Sequence, residues 1–361
     1  MEQGGSVSVL AYGRGLLGQL GMKLREVGLS GRAFVISDDV VYPLYGETVT
    51  AGLTSAGYEV AAYQLPSGEP TKSLHSASML YDWLVEQRAE RIDSIVALGG
   101  GVVGDVAGFV AATFLRGMPL VQVPTTILAQ IDSSIGGKVG VNHPKGKNLI
   151  GAFHPARLIV GDTDTLRSLS RRVLADGWAE AIKCAMILDA ELLDVLEAHA
   201  DSLIDLTSPL VPAIIERCAQ HKVRVVAEDE RESGLRMILN YGHTIGQALE
   251  AALNYQVLLH GEAVSIGMVG AAEIAVRRGL LEASLAERQN RVLARFGLPT
   301  RFPADASPPP VDTVIERMAR DKKSRGAQLR WILLDRIGHA RIEAGVPLDL
   351  VRDVVTELLE R

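Results

Sequence analysis

The stretch "DSIVALGGGVVGDVAGFVAATFL", Asp93 to Leu115, constrains the fold more than any other. Its apolar run Ile95–Leu98 lacks the polar alternation of a half-solvated strand, so it reads as a strand buried on both faces. The run closes on three glycines and passes directly into a helix-periodic segment. The same alternation recurs around it. "RAFVIS" ends at Asp38 and Asp39, "YEVAAYQL" follows a helical segment, and "PLVQVPTT" and "ARLIVGD" come after, with "LHSASMLYDWLVEQRAER" as a helix between. Strands alternating with helices predict a parallel sheet covered by helices, an α/β Rossmann-like unit.

From about Ser168 the pattern changes. "SLSRRVLADGWAEAIKCAMIL", "AELLDVLEAHADSLI", "LVPAIIERCAQHKVRVVAE" and "GEAVSIGMVGAAEIAVRRG" are long and helix-periodic. "PADASPPPVD" (303–312) reads as a loop, "LRWILLDRIGHARIEAGV" as a small hairpin, and "PLDLVRDVVTELLER" as a closing helix with Pro347 near its start. The chain of 361 residues has room for about two domains. We expect an α/β domain over 1–166 and a mainly α-helical domain over 167–361.

A net charge of −6 argues against nucleic acid as a bulk partner, so local basic clusters point to a small anionic ligand. Two cysteines, Cys184 and Cys218, exclude a disulfide framework and suit a reducing cytoplasm. The first residues lack a basic region followed by an apolar run, and no stretch of about 18 apolar residues occurs. Neither a signal peptide nor a membrane span is expected.

Gly99-x-Gly101-x-x-Gly104 lies between a strand and a helix, where glycine lets the backbone approach a pyrophosphate at a helix N-terminus. An ordinary strand-to-helix turn uses glycines too. A dinucleotide fingerprint also wants an acid about 20 residues onward. None stands there; the candidate is upstream, at Asp38. The turn is therefore expected on a later strand than usual, with Glu69 and Lys72 of "SGEPTKS" able to reach a ribose or an adenine.

"LNYGHTIGQALE" (Leu239–Glu250) reads as a helix. Counted from Arg236 just before it, Arg236, Asn240, His243 and Gln247 are spaced four, three and four, and so would share one helical face. His260 opens a long apolar helix whose positive end favours a neutral, ligating ring. Glu180 in "DGWAEAIK" is a candidate third ligand, giving an O/N/N set with open positions for a substrate. A lone histidine is more often a hydrogen-bonded or exposed side chain, and spacing alone does not join three helices. Asp132, Lys138, Lys147 and Asn148 lie in the glycine-rich "DSSIGGKVGVNHPKGKNLIG". Lys183, Lys222 and Arg236 lie in the helical part, and "RDKKSRG" carries Lys322 and Lys323. Such lysines suit phosphate or carboxylate recognition, although "RDKKSRG" equally suits a solvated face.

The order "SGEPTKS", "GGGVVGDVAGFVAATFLRG", "VPTTILAQIDSSIGGKVGVNHPKGKNLIGAF", "DGWAEAIK", "DERESGLRMILNYGHTIG", "LHGEAVSIGM", "RDKKS" closely resembles the 3-dehydroquinate synthase family over nearly the whole chain. The resemblance implies an NAD-binding α/β domain, a helical metal domain and a homodimer. It implies Zn2+ (or Co2+) on Glu180, His243 and His260. NAD contacts fall on Asp38, Glu69, Lys72, Gly99, Gly100, Gly101, Asp105, Thr125, Thr126 and Lys147. Substrate contacts fall on Arg116 from the neighbouring subunit, Asp132, Lys138, Asn148, Lys183, Lys222, Arg236, Asn240 and a lysine of Lys322 and Lys323. Catalytic roles fall on Lys138, Lys183, Glu232, Asn240 and Gln247. The implied reaction turns a phosphorylated heptulosonate into 3-dehydroquinate and phosphate. Two positions depart from the pattern. Gln247 stands where the family usually has a second histidine, and Val40 where it often has a polar residue. A related sugar-phosphate cyclase, a metal-dependent alcohol or glycerol dehydrogenase, and an inactive NAD-binding protein are the competing readings.

Overall fold

The computed structural model describes residues 8–232, 234–323 and 329–360, and of residues 320–323 the backbone alone. The chain divides into two compact units. One comprises residues 1–169 and 210–223, the other 170–209 and 224–361.

The first unit runs β1 (Val9–Gly13), α1 (Leu20–Glu26), β2 (Ala33–Asp38), α2 (Tyr42–Ser55), β3 (Val60–Leu65), α3 (Leu74–Glu86), β4 (Ser94–Gly99), α4 (Gly101–Thr113), β5 (Leu120–Pro124), β6 (Lys138–His143), β7 (Gly146–Phe153) and β8 (Leu158–Asp162). Six strands form one parallel sheet in the order β1-β8-β5-β4-β2-β3. Successive side chains of a strand face opposite ways. Phe34, Ile36, Ile95 and Ala97 thus pack with Leu80, Leu84, Val106 and Val110 on one side. Val35, Val96 and Leu98 pack with Leu20, Leu24, Val49 and Leu53 on the other. Both faces are buried, which is why the strands read as unbroken apolar runs. From β2 the chain goes to β3 on one side and then to β4 on the other, so the strand order reverses between β2 and β4. Parallel sheets bind ligands beyond the carboxyl ends of strands at such a switch point. β6 and β7 form a separate antiparallel hairpin, where the sequence had suggested only glycine-rich turns.

The second unit contains α5 (Arg171–Leu188) and α6 (Ala190–Ile204). α7 (Val211–Glu228) belongs to the first unit as far as Val223. Then come α8 (His243–Ala252), α9 (His260–Arg277), α10 (Ala283–Arg295), α11 (Val311–Lys323), the antiparallel hairpin β9 (Trp331–Arg336) and β10 (His339–Glu343), and α12 (Leu348–Leu359).

Glycines set how closely these helices approach. A Cβ on Gly267 of α9 would stand 1.9 Å from the Gly242 carbonyl oxygen, and one on Gly246 of α8 would stand 2.8 Å from that of Ala263. A Cβ on Gly261 would stand 2.0 Å from the carbonyl oxygen of Asp176 in α5. α8 and α5 therefore meet α9 backbone to backbone.

The expected single helix through Leu239–Glu250 is not formed. Leu235–Asn240 is a 3-10 segment, Tyr241 is extended at ψ 127°, and Gly242 turns left-handed at φ 79° before α8 begins at His243. Glycine takes that conformation without penalty, and there it also lets the turn approach Val264 and Met268. Arg236 and Asn240 accordingly do not share a helical face with His243 and Gln247.

Replacing Gly267 with alanine pushes a methyl group into backbone that has nowhere to go. We expect G267A to lose roughly 3 kcal/mol or more of stability, visible as a lowered Tm together with weakened metal retention. A G267A protein that melts like wild type would show that α8 and α9 do not cross this closely.

Candidate active site

In the first unit, neighbouring strands bring the glycine turn and the upstream acid together. β2 and β4 pair with Ile36 opposite Ala97, an offset that carries Asp38 level with Gly99. Asp38 Oδ1 accepts from the backbone N–H of Val40 and Val41, which fixes its carboxylate at the end of β2. Gly100 caps α4, and β5 ends beside it, with Thr125 N donating to the Gly99 carbonyl at 3.0 Å. Asp38, Gly99, Gly100, Gly101, Thr125 and Thr126 thus stand at the carboxyl ends of three adjacent strands, at the switch point.

Beside them lies a charged cluster. Lys72 Nζ donates to Asp105 Oδ2 and Asn148 Oδ1. Glu69 Oε1 accepts from Asn142 at 2.7 Å and stands 3.3 Å from Lys147 Nζ. Asn142 N bonds the Lys72 carbonyl, which ties the β6–β7 hairpin to "SGEPTKS". Burial raises the Asp105 carboxyl above its ordinary range against the opposing pull of Lys72. Lys222 Nζ donates to both the carbonyl oxygen and Oδ1 of Asp132, each at 2.6 Å. Lys138 is exposed at the start of β6. Arg116 is exposed in a left-handed turn at φ 66°.

In the second unit, Glu180 on α5, His243 at the start of α8 and His260 at the start of α9 bring ligand atoms within 4.8 Å of one another. Each histidine Nε2 lies 3.8 Å from Glu180 Oε1. That oxygen is buried and accepts no hydrogen bond. Two ligands each about 2.1 Å from a metal stand roughly 3–4 Å apart, so the three groups fit around one cation. The other ring nitrogens are turned away, His243 Nδ1 to the Tyr241 carbonyl at 3.2 Å and His260 Nδ1 to Glu250 Oε2 at 3.1 Å.

The remaining Glu180 oxygen pairs with Lys183, itself buried. Burial disfavours a charged His260, yet Glu250, Glu180 and Asp176 outweigh it and raise the ring's pKa to about 9. Burial pushes Asp176 up to about 6, against its hydrogen bond from Gly261 N at 2.5 Å and the field of His260. The pocket therefore strongly favours an added positive charge.

Arg236 Nη1 donates to the Glu230 carbonyl at 2.5 Å, and Asn240 Nδ2 to Glu232 Oε1 at 2.5 Å. Both side chains of the expected stripe are thus used by the 229–232 turn. Gln247 is exposed on α8. The side chains of Lys322 and Lys323 lie outside the described residues. Sequence reasoning missed Glu250, Asp176 and Asn142. Glu250 carried a signal, standing seven residues after His243 on the same helix face.

A parallel sheet with a glycine turn at its switch point, joined in one chain to a helical unit with a His–His–Glu cluster, defines a nucleotide-type α/β protein with a helical metal domain. Within that class the chain belongs to the 3-dehydroquinate synthase family. The profile "3-dehydroquinate synthase N-terminal" matches residues 62–176 and "3-dehydroquinate synthase C-terminal" matches 177–324. The 3-dehydroquinate synthase of Nostoc punctiforme is 46% identical over 341 residues, 94% of this chain and 93% of its own. Among solved structures, 2-epi-5-epi-valiolone synthase from Streptomyces hygroscopicus subsp. jinggangensis 5008, with NAD+ and Zn2+ bound, superposes with a TM-score of 0.89. It is 29% identical over 99% of this chain and 98% of its own. A 2-deoxy-scyllo-inosose synthase, complexed with carbaglucose-6-phosphate, NAD+ and Co2+, gives 0.86 at 29% identity over 97% and 96%.

We expect the purified protein to bind one divalent cation per chain, measured by metal analysis after dialysis. His260→Ala should lose it, and chelation should abolish wild-type activity until Zn2+ or Co2+ is restored. Full activity in His260→Ala verified metal-free would remove Glu180, His243 and His260 as the metal site.

Proposed function

We propose that the protein is a 3-dehydroquinate synthase, an NAD- and metal-dependent carbon–oxygen lyase. Its substrate is 3-deoxy-D-arabino-heptulosonate 7-phosphate and its products are 3-dehydroquinate and phosphate, in the shikimate pathway. The observation that carries this is the buried, unpartnered Glu180 oxygen facing two histidines, in a chain matched in both parts by this family. Identity of 46% to a 3-dehydroquinate synthase, against 29% to the two other cyclases, favours this substrate over sedoheptulose 7-phosphate.

On this reading the domain ending near residue 166 binds NAD. Asp38, Glu69, Lys72, Gly99, Gly100, Gly101, Asp105, Thr125, Thr126 and Lys147 form its site, and the α4 N-terminus favours the pyrophosphate charge. The helical domain holds Zn2+ or Co2+ on Glu180, His243 and His260. When bound, NAD supplies a transient oxidation at C5 that acidifies the adjacent C–H, and the metal supplies Lewis acidity at the C5 oxygen.

The chain's own groups then bind and orient. Lys138, Asn148 and a lysine of Lys322 and Lys323 hold the leaving phosphate. Arg236 and Lys222 pair with the substrate carboxylate, which suits the planar guanidinium fork. Asp132 keeps Lys222 in place. Lys183 holds a positive charge beside Glu180, and Asn240 orients Glu232. The leaving phosphate carries the proton, and Gln247 positions a water or the substrate without titrating. We further read the enzyme as a cytoplasmic homodimer, in which Arg116 reaches the phosphate site of the partner subunit. Its two cysteines, Cys184 and Cys218, are buried and not joined in a disulfide, which suits a reducing compartment.

Oxidation and reduction at the same carbon leave no net redox change. We expect catalytic amounts of NAD to support many turnovers of phosphate release, with no lasting absorbance of NADH. Stoichiometric NADH accumulation would instead mark a dehydrogenase.

Gln247 gives a second test. Gln247→Leu, similar in size but unable to hydrogen-bond, should lose activity with the metal retained. Acid–base assistance is worth roughly 10²–10⁴-fold where it operates. Gln247→His should therefore preserve or raise activity and add an ionisation near the ordinary histidine pKa of about 6.5. If Gln247→Leu matches wild type in kcat and kcat/KM across pH, the side chain only fills space.

A further inference from the structure

We propose that Glu250 is the positioning residue of the metal centre. Acting through His260, it fixes which ring nitrogen faces the cation and strengthens that nitrogen as a donor. The inference rests on the metal reading above.

Glu250 occupies an unfavourable place. Its carboxylate is buried, and it lies in the last turn of α8, where the helix dipole disfavours negative charge. It caps no helix and pairs with no lysine or arginine among the described residues. Its one side-chain partner there is His260 Nδ1, at 3.1 Å. A buried carboxylate is costly unless its contacts compensate, so the histidine contact is what offsets its burial.

That contact has a chemical consequence. With Nδ1 donating to the carboxylate, Nε2 is the nitrogen left facing Glu180 Oε1, and its lone pair becomes a ligand once a cation displaces its proton. A carboxylate behind an imidazole fixes the ring's orientation and tautomer and makes it a better ligand. His243 Nδ1 faces the Tyr241 carbonyl. Glu250 reaches His260 because His243 and Glu250, two turns apart on α8, face α9 across the glycine contact.

Two variants and two readouts test this. Cobalt affinity is measured by competition with a chromophoric chelator, and the Tm of the metal-free protein by thermal denaturation. Glu250→Leu removes both acceptor and charge and should weaken Co2+ binding by about 10–100-fold. Glu250→Gln keeps an acceptor oxygen without the charge and should lose less. Both variants leave His260 without its carboxylate, so both should melt below wild type when metal-free, and Co2+ affinity is therefore read at a temperature where each variant is folded. Wild-type cobalt affinity in Glu250→Leu would overturn the proposal. So would a lowered metal-free Tm in both variants with unchanged affinity in the folded protein, which marks a structural role. If the wild type itself binds no Co2+, the metal reading fails and this inference falls with it.

Discussion

The cluster of Glu180, His243 and His260 depends on how closely α9 is approached by α5 and α8. Helices usually pack with axes about 8–10 Å apart because side chains separate them. Here Gly261 lies against the Asp176 carbonyl, and Gly267 and Gly246 remove the side chains between α8 and α9. Glu180, His243 and His260 come from three different helices, and their ligand atoms meet within 4.8 Å only because those backbones touch. A methyl group at any of these glycines is far from the ligands in chemistry, yet it acts on the distance between them.

The same closeness concentrates negative charge. Asp176, Glu180 and Glu250 all surround His260, and among the described residues only Glu180 has a lysine, Lys183, bonded to it. Leaving one partner of a buried ion pair alone costs about 3–5 kcal/mol. A buried carboxylate oxygen without a partner is expensive in the same way. The raised pKa of His260 expresses this imbalance as an affinity for positive charge, which a proton or a divalent cation satisfies. Lys183 neutralises one oxygen of Glu180 and leaves the other directed at both histidines. The pairing thus selects which oxygen is available as a ligand.

Much of this was legible in the sequence. The parallel sheet follows from apolar runs such as Ile95–Leu98, since a strand buried on both faces needs no alternation. The three candidate metal ligands were legible as residue types, and the long motifs supplied their grouping. What misled was periodicity across Tyr241–Gly242. Four polar residues at helical spacing satisfied the test for one face, but a left-handed glycine broke the helix between Asn240 and His243. Spacing cannot register a single φ of 79°, although the glycine itself was a warning. Glu250 was missed for the opposite reason. It lies on the right face of a true helix, but its partner lies on another helix, and no local pattern encodes a contact across a glycine crossing.

The first unit solves a different electrostatic problem. Its basic groups are held beside acceptors of their own: Lys72 with Asp105 and Asn148, Lys147 near Glu69, Lys222 with Asp132. A lysine that must be partly buried keeps its charge only when so compensated. An anionic ligand arriving there exchanges one acceptor for another instead of meeting a bare cation. Its binding free energy is the difference between the two sets of contacts. Such differences are small compared with either set alone, which suits a cofactor and a product that must both be held and released. The acid at the end of β2 fits the same logic. With the glycine turn on β4, the neighbouring strand end is Asp38, already fixed by the N–H groups of Val40 and Val41. A carboxylate on a rigid strand end needs no ordering when a hydroxyl donates to it. The candidate acid, absent from the place after the turn where a dinucleotide fingerprint has it, is brought level with the turn by topology, because the strand order reverses between β2 and β4.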